Sequence, residues 1–229
     1  MSESCRIWPR VSPARCIVAS MLVLMLVALL CIAVPEYRRN AAIREIEAAG
    51  GGVVNGPVTP QWLRGWIGYD SSIKSLFADT ESIDLESAAD PGRSIGNLEL
   101  FPRLKSLLLS FSGVTDSDLA QVSKSKSLEY VGLNDTPITD AGLAHLAGLT
   151  NLEFLDLGQT RVTDAGLVHL HGLSDLRTLC LHHTEVTDGG IDELKKLRKL
   201  QQLLLYGTHV TDAGATELKR ALPGCEIVR

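Results

Sequence analysis

From Leu104 to Leu205 one arrangement of apolar and polar positions returns at a constant interval, the one that separates Leu104 from Leu128 and Leu128 from Leu152. In the unit that starts at Leu149, Leu152, Leu155 and Leu157 come first, then Thr160, then Val162-Thr163-Asp164, then Leu167 and Leu170. Leu155 and Leu157 alternate with outward residues, which is the period of a strand with one buried face. Leu167 and Leu170 lie three apart on one helical face, with Asp164 placed as the N-cap of that helix and Gly172 as its end. Units begin at Phe101, Ser125, Leu149, Leu173 and Leu197, with a degenerate unit from Phe77 and a remnant from Ala221. Each is marked by a tripeptide of one type: Val114-Thr115-Asp116, Ile138-Thr139-Asp140, Val162-Thr163-Asp164, Val186-Thr187-Asp188 and Val210-Thr211-Asp212. A strand and a short helix cannot bury their apolar sides alone, so such units stack on one another. The pattern predicts an α/β solenoid with parallel strands on one side and short helices on the other.

A different pattern precedes the repeats. From Ile17 to Val34 there are 18 residues without a charge, which as a helix reach about 27 Å against a hydrocarbon core of roughly 30 Å. The segment 17–34 reads as a transmembrane helix behind an N-terminal tail (1–16). A cleaved signal peptide is the rival reading, but Cys31-Ile32-Ala33 is a poor cleavage site and Leu30 precedes Cys31 where a lipoprotein signal wants a small residue. Arg6, Arg10 and Arg15 on one flank balance Arg38, Arg39 and Arg44 on the other, so basic residues do not orient the span. A short tail before a single anchor favours an N-terminus inside and repeats on the extracytoplasmic side.

Residues 35–52 read as a juxtamembrane helix over Glu36–Ala49, stopped by Gly50-Gly51-Gly52, with Gly50–Gly56 as a linker. Residues 53–76 read as an N-terminal cap, with Trp62 and Trp66 on one helical face covering the first unit or meeting the membrane interface. Repeats then fill 77–220, and 221–229 reads as a closing strand or C-terminal cap.

The repeat resembles the leucine-rich repeat, L-x-x-L-x-L-x-x-N-x-L, through Leu104, Leu107 and Leu109; Leu128, Val131 and Leu133; Leu152, Leu155 and Leu157; Leu176, Leu179 and Leu181; and Leu200, Leu203 and Leu205. The motif's asparagine is replaced by Ser112, Thr136, Thr160, Thr184 and Thr208, whose hydroxyls can still bond the turn backbone. The resemblance implies a horseshoe with strands on its concave face and a non-catalytic role in binding a protein or peptide. The T-D-A-G-L variant with an anchor is similar to membrane-anchored repeat proteins of planctomycete-type bacteria. It is also similar to the repeats of F-box proteins, which would imply a ligase-adaptor role, although no stretch reads as an F-box.

Charge narrows the partner class. Without residues 1–35, 19 Lys and Arg face 26 Asp and Glu, a net charge of −7, so phosphate backbones are repelled and nucleic acid is not expected as a partner. Of five cysteines, Cys5, Cys16 and Cys31 lie in or before the apolar run. Cys180 and Cys225, on coils of the array about two strand spacings apart, are too distant for a disulfide and are expected free.

On the concave face, residues flanking the inward leucines form ladders: Ser106, Leu108, Ser110; Tyr130, Gly132, Asn134; Phe154, Asp156, Gly158; Thr178, Cys180, His182; and Gln202, Leu204, Tyr206. Strands about 4.8 Å apart should bring Tyr130 against Phe154 and His182 beside Tyr206. Tyr130, Asn134, Phe154, Asp156, Thr178, His182, Gln202 and Tyr206 are the candidate binding residues. Their aromatic members either anchor a partner or only stack as cross-strand pairs. Other chemistry fits less well. His145 and His169 stack with Glu193 and Glu217 in an exposed column that a solvated helix face explains, so no metal is assigned. His182 and His183 are adjacent and should point to opposite sides. Cys180 near His182 suggests a thiolate and base, but no oxyanion site accompanies them, so no catalytic residue or cofactor is assigned. A structural, self-associating envelope role is the alternative to recognition.

Overall fold

The computed structural model describes residues 34–56, 79–88 and 90–229, together with Val27. Residues 1–40 and 41–229 form separate compact units. In the first, the start of helix α1 (Val34–Ala48) carries an ion pair between Glu36 and Arg39. Apart from Val27 and Val34, the apolar segment 17–34 lies outside the described residues, as do Trp62 and Trp66. Among the described residues no helix is long and apolar enough to cross a membrane.

The second unit is built on one eight-stranded sheet whose strands lie in sequence order. They are β1 (Gly52–Gly56), β2 (Asp79–Asp84), β3 (Ser106–Leu108), β4 (Tyr130–Gly132), β5 (Phe154–Asp156), β6 (Thr178–Cys180), β7 (Gln202–Leu204) and β8 (Glu226–Val228). From β2 to β8 every pair is parallel and in the register of the repeat, for example Leu155 beside Leu179. The inward leucines of the motif are fully or almost fully buried, and Leu107, Val131, Leu155, Leu179 and Leu203 form one continuous row of the core. Behind the sheet run α2 (Pro91–Ile95), α3 (Asp116–Val122), α4 (Asp140–Leu146), a 3-10 segment (Gly166–Gly172), α5 (Ile191–Leu194) and α6 (Asp212–Ala221). The predicted solenoid of parallel strands and short helices is what the chain forms, and β8 is the last strand of its sheet.

Two corrections concern local structure. Gly50–Gly56 is not a linker. Gly50 takes φ +88°, the left-handed conformation that ends α1, and Gly52–Gly56 then pairs antiparallel with β2. Ala42 and Ile46 of α1 are buried in the same core as Ile83 and Leu85, and Glu45 accepts a hydrogen bond from Asn97 and pairs with Arg93. The end of the array is therefore covered by α1 and β1, ahead of the expected cap. Cys180 lies on strand β6, in the ladder where the repeat places it, and it and Cys225 are free and buried.

The second correction explains the T-D-A-G motif. Aspartate is not the cap: the preceding threonine is, and Thr139, Thr187 and Thr211 accept from the N–H groups of Ala141, Gly189 and Gly214. The aspartate instead reaches into the next unit. Asp140 accepts the Thr163 N–H at 2.8 Å and its hydroxyl at 2.7 Å, and the same pair of bonds joins Asp116 to Thr139, Asp164 to Thr187 and Asp188 to Thr211. Each threonine hydroxyl thus donates to one unit and accepts within its own. The carboxylate occupies the space that a Cβ would fill at Gly142, Gly166, Gly190 or Gly214 of the following unit. The first unit inverts the arrangement: Gly92 stands where the aspartate would be and Asp118 where the glycine would be. Asp118 then supplies the missing acceptor, at 2.9 Å from the Thr115 N–H.

Candidate functional site

The sheet has one face against the core and one open face. The open face is assembled by register alone. One row runs Ser106, Tyr130, Phe154, Thr178, Gln202 and Glu226, and the next runs Asp84, Leu108, Gly132, Asp156, Cys180, Leu204 and Val228. The third, at the strand exits, includes Ser110, Asn134, Gly158, His182 and Tyr206.

Two contacts expected from the ladder are present. Tyr130 and Phe154 stack with centroids 4.2 Å apart and planes 6° from parallel. His182 and Tyr206 stack at 4.8 Å and 16°. Among the other candidate residues, Asn134 accepts a hydrogen bond from the Gln159 side chain at 3.4 Å, and Asp156 accepts the Gly158 N–H at 2.9 Å. Thr178 and Gln202 are paired neighbours, both half-buried. Burial raises the pKa of the Tyr130 phenol, and Asp156, Cys180 and Glu86 add to the rise.

The strand exits hold what the sequence concealed. Ser87, Phe111, Asp135, Gln159, His183 and Gly207, one in each successive unit, all have φ between 53° and 72°. At five of these the backbone takes a conformation that favours glycine, and the cost is offset by an N–H donated to the neighbouring unit, as from Asp135 to the Gly158 carbonyl. Only Gly207 carries a sequence signal. The bend overturns the expectation for His182 and His183. Strand alternation ends before His183, so both rings lie on one side, 5.9 Å apart, with His183 also edge-on to Tyr206 at 5.5 Å. The His182 ring lies over Gly158, and the His183 ring over Gly207, where side chains would collide with them. Phe111 is 54% exposed on the same bend, a position the leucine pattern does not mark.

Other candidates separate. Burial pushes the Cys180 thiol up to about 12, with Asp156 adding to the shift, so it offers no thiolate at neutral pH. Glu193 pairs with His171 and Lys196, and Glu217 with Lys195, so the acidic half of the His145–Glu217 column is held by cations. Among the described residues no three His, Cys, Asp or Glu side chains are grouped to hold a metal. An open cavity of about 540 Å³ lies at the C-terminal end beside Leu205, Thr208, Asp212, Ile227 and Arg229. A cleft of about 230 Å³ lies between His171 and Lys199. Neither is on the open face. What that face offers is a shallow strip of aromatic, amide and carboxylate groups, suited to holding an extended surface and not to enclosing a small molecule.

No protein-family model matches the chain, and no curated protein matches it. Among solved structures it is similar to an internalin C2 of Listeria monocytogenes, at 20% identity over 67% of this chain and 86% of that one, with a TM-score of 0.44. An internalin inlF of the same species aligns at 21% identity over 64% of this chain and 52% of its own, with a TM-score of 0.38. A leucine-rich-repeat protein of Leptospira interrogans aligns at 19% identity over 58% and 45%, with a TM-score of 0.40. The chain spans about half the length of the last two. Likeness of this size assigns no partner.

Proposed function

We propose that this chain is a membrane-anchored, leucine-rich-repeat-type recognition module that binds a protein or peptide through the open, concave side of its sheet, without catalysis. The observation that carries the reading is the pair of aromatic stacks, Tyr130 with Phe154 and His182 with Tyr206. The leucine core is closed without them, and Tyr206 remains 39% exposed. Large rings held rigidly on an open surface lose little entropy when a partner covers them, which is why they anchor interfaces. Anchoring rests on the uncharged stretch 17–34.

The test is a cross-linking pull-down from native membranes with the intact chain and a Tyr130→Ala, Phe154→Ala, Tyr206→Ala variant of unchanged melting behaviour. A partner captured by the intact chain and lost by the variant supports recognition. Identical captures, or capture only of further copies of the chain, would replace it with the self-associating structural role.

A further inference from the structure

The charges of the array are segregated. Residues 82–87, 106–111, 130–135, 154–159, 178–183, 202–207 and 226–228 make up the strands and strand exits of the open face. They contain Asp84, Glu86, Asp135, Asp156 and Glu226 but no lysine or arginine. None of these five carboxylates is in an ion pair among the described residues. Lysines and arginines stand off this face, where they pair with some of the chain's other acids: Asp175 with Lys199, Asp192 and Glu217 with Lys195, Glu193 with Lys196, and, at the strand entries, Glu129 with Lys105 and Glu153 with Arg177. An acid-bearing face without its own cations is complementary to a basic partner and repels an acidic one.

Register gives that complementarity a spacing. Asp84, Leu108, Gly132 and Asp156 form one row across four neighbouring strands. Two half-buried carboxylates therefore flank a floor of one leucine and one glycine, and three strand spacings separate them by about 14 Å. An extended peptide lying across the strands advances about 3.4 Å per residue, so side chains four positions apart match that distance. Beside the row lies the Tyr130–Phe154 stack, and the exposed Phe111 ring stands on the bend after β3; aliphatic stems of lysine or arginine can pack on such rings while their heads reach carboxylates.

We propose that the open face binds an extended segment of a partner protein carrying two basic residues four positions apart, one set against Asp84 and the other against Asp156. This rests on the recognition reading and narrows it to a cationic peptide.

The experiment is selection of a random displayed nonapeptide library on the full chain in detergent micelles, followed by fluorescence anisotropy of the selected peptides. Enrichment of lysine or arginine at positions four apart is expected. Asp84→Asn with Asp156→Asn should weaken binding by about tenfold or more, while the distant Asp192→Asn should leave it within about twofold. Raising salt from about 50 to about 500 mM should weaken it further. The Asp156→Asn side chain can still accept the Gly158 N–H, and thermal melting checks that the variants fold. Selected peptides without basic pairs, or peptides indifferent to Asp84 and Asp156, would overturn the proposal. If such peptides are still lost on Tyr130→Ala with Phe154→Ala, recognition stands and only the cationic assignment falls. If no peptide binding depends on the face, both fall.

Discussion

In the chain, Asp140 and Gly166 are one device, and exchanging both should cost less than the sum of the two single exchanges. Asp140→Ala removes two hydrogen bonds to Thr163, at 2.8 and 2.7 Å, from a half-buried position. Bonds to a charged acceptor contribute about 1.5–3 kcal/mol, and water replaces part of that at a half-exposed site, so a loss of about 2 kcal/mol is expected. Gly166→Ala would ordinarily gain up to about 1 kcal/mol of chain entropy. Here its new methyl meets the Asp140 carboxylate, and Leu143 Cδ1 at 3.0 Å, so the same bonds are displaced and the net loss is about 1 kcal/mol. With Asp140 already alanine the space is open, and adding Gly166→Ala should return about 1 kcal/mol. The double variant should then lie about 1 kcal/mol below wild type, where additivity would put it about 3 below. Urea unfolding followed by circular dichroism, with unchanged slope, measures all four corners. A stabilising Gly166→Ala in the wild-type background, or additivity within about 0.5 kcal/mol, would refute the reasoning.

Leu155→Ala, at 0% exposure in the central row, should cost about 2–5 kcal/mol in urea unfolding, whereas Ser106→Ala on the open face should stay within about 0.5 kcal/mol. Asp135→Gly, at a backbone φ of 53° with an exposed side chain, should stabilise by about 1 kcal/mol through relief of the left-handed strain, measured by the same unfolding curve. The hydroxyl and N–H of Thr211 lower the pKa of Asp188. Its contribution is therefore present above the ordinary aspartate range and lost as pH falls through the depressed folded value. The stability difference between wild type and Asp188→Asn should be largest near neutral pH and shrink in acid; a difference that grows on acidification would reverse the assignment.

The fold was legible because its determinant is periodic. Leucines at fixed offsets specify which side chains enter the core, and the strand register follows from stacking units of identical length, so Tyr130 and Phe154 could be placed against each other before any coordinates. What escaped is carried by the backbone or by contacts between units. The left-handed residue at each strand exit is Ser, Phe, Asp, Gln or His before it is Gly207, and no side-chain pattern marks it. That bend brought His182 and His183 together. The aspartate of each unit looked like a local cap because a sequence shows spacing within a unit more readily than a bond from one unit to the next. The inverse pairing of Gly92 with Asp118 was the clue available, since it breaks both columns at once. Gly52–Gly56 looked like a linker on composition, yet pairing with β2 decided its structure, as tertiary context does for short glycine-rich strands.

Recognition as proposed requires that a partner cover the open face of the sheet. A photoreactive benzophenone residue substituted at Phe154 on that face, and separately at Val168, which is 48% exposed on the helical side, tests it in native membranes. A discrete adduct is expected from position 154, abolished by Tyr130→Ala with Tyr206→Ala, and none of that mass from position 168. The same adducts from both positions, or adducts only between copies of this chain, would contradict it.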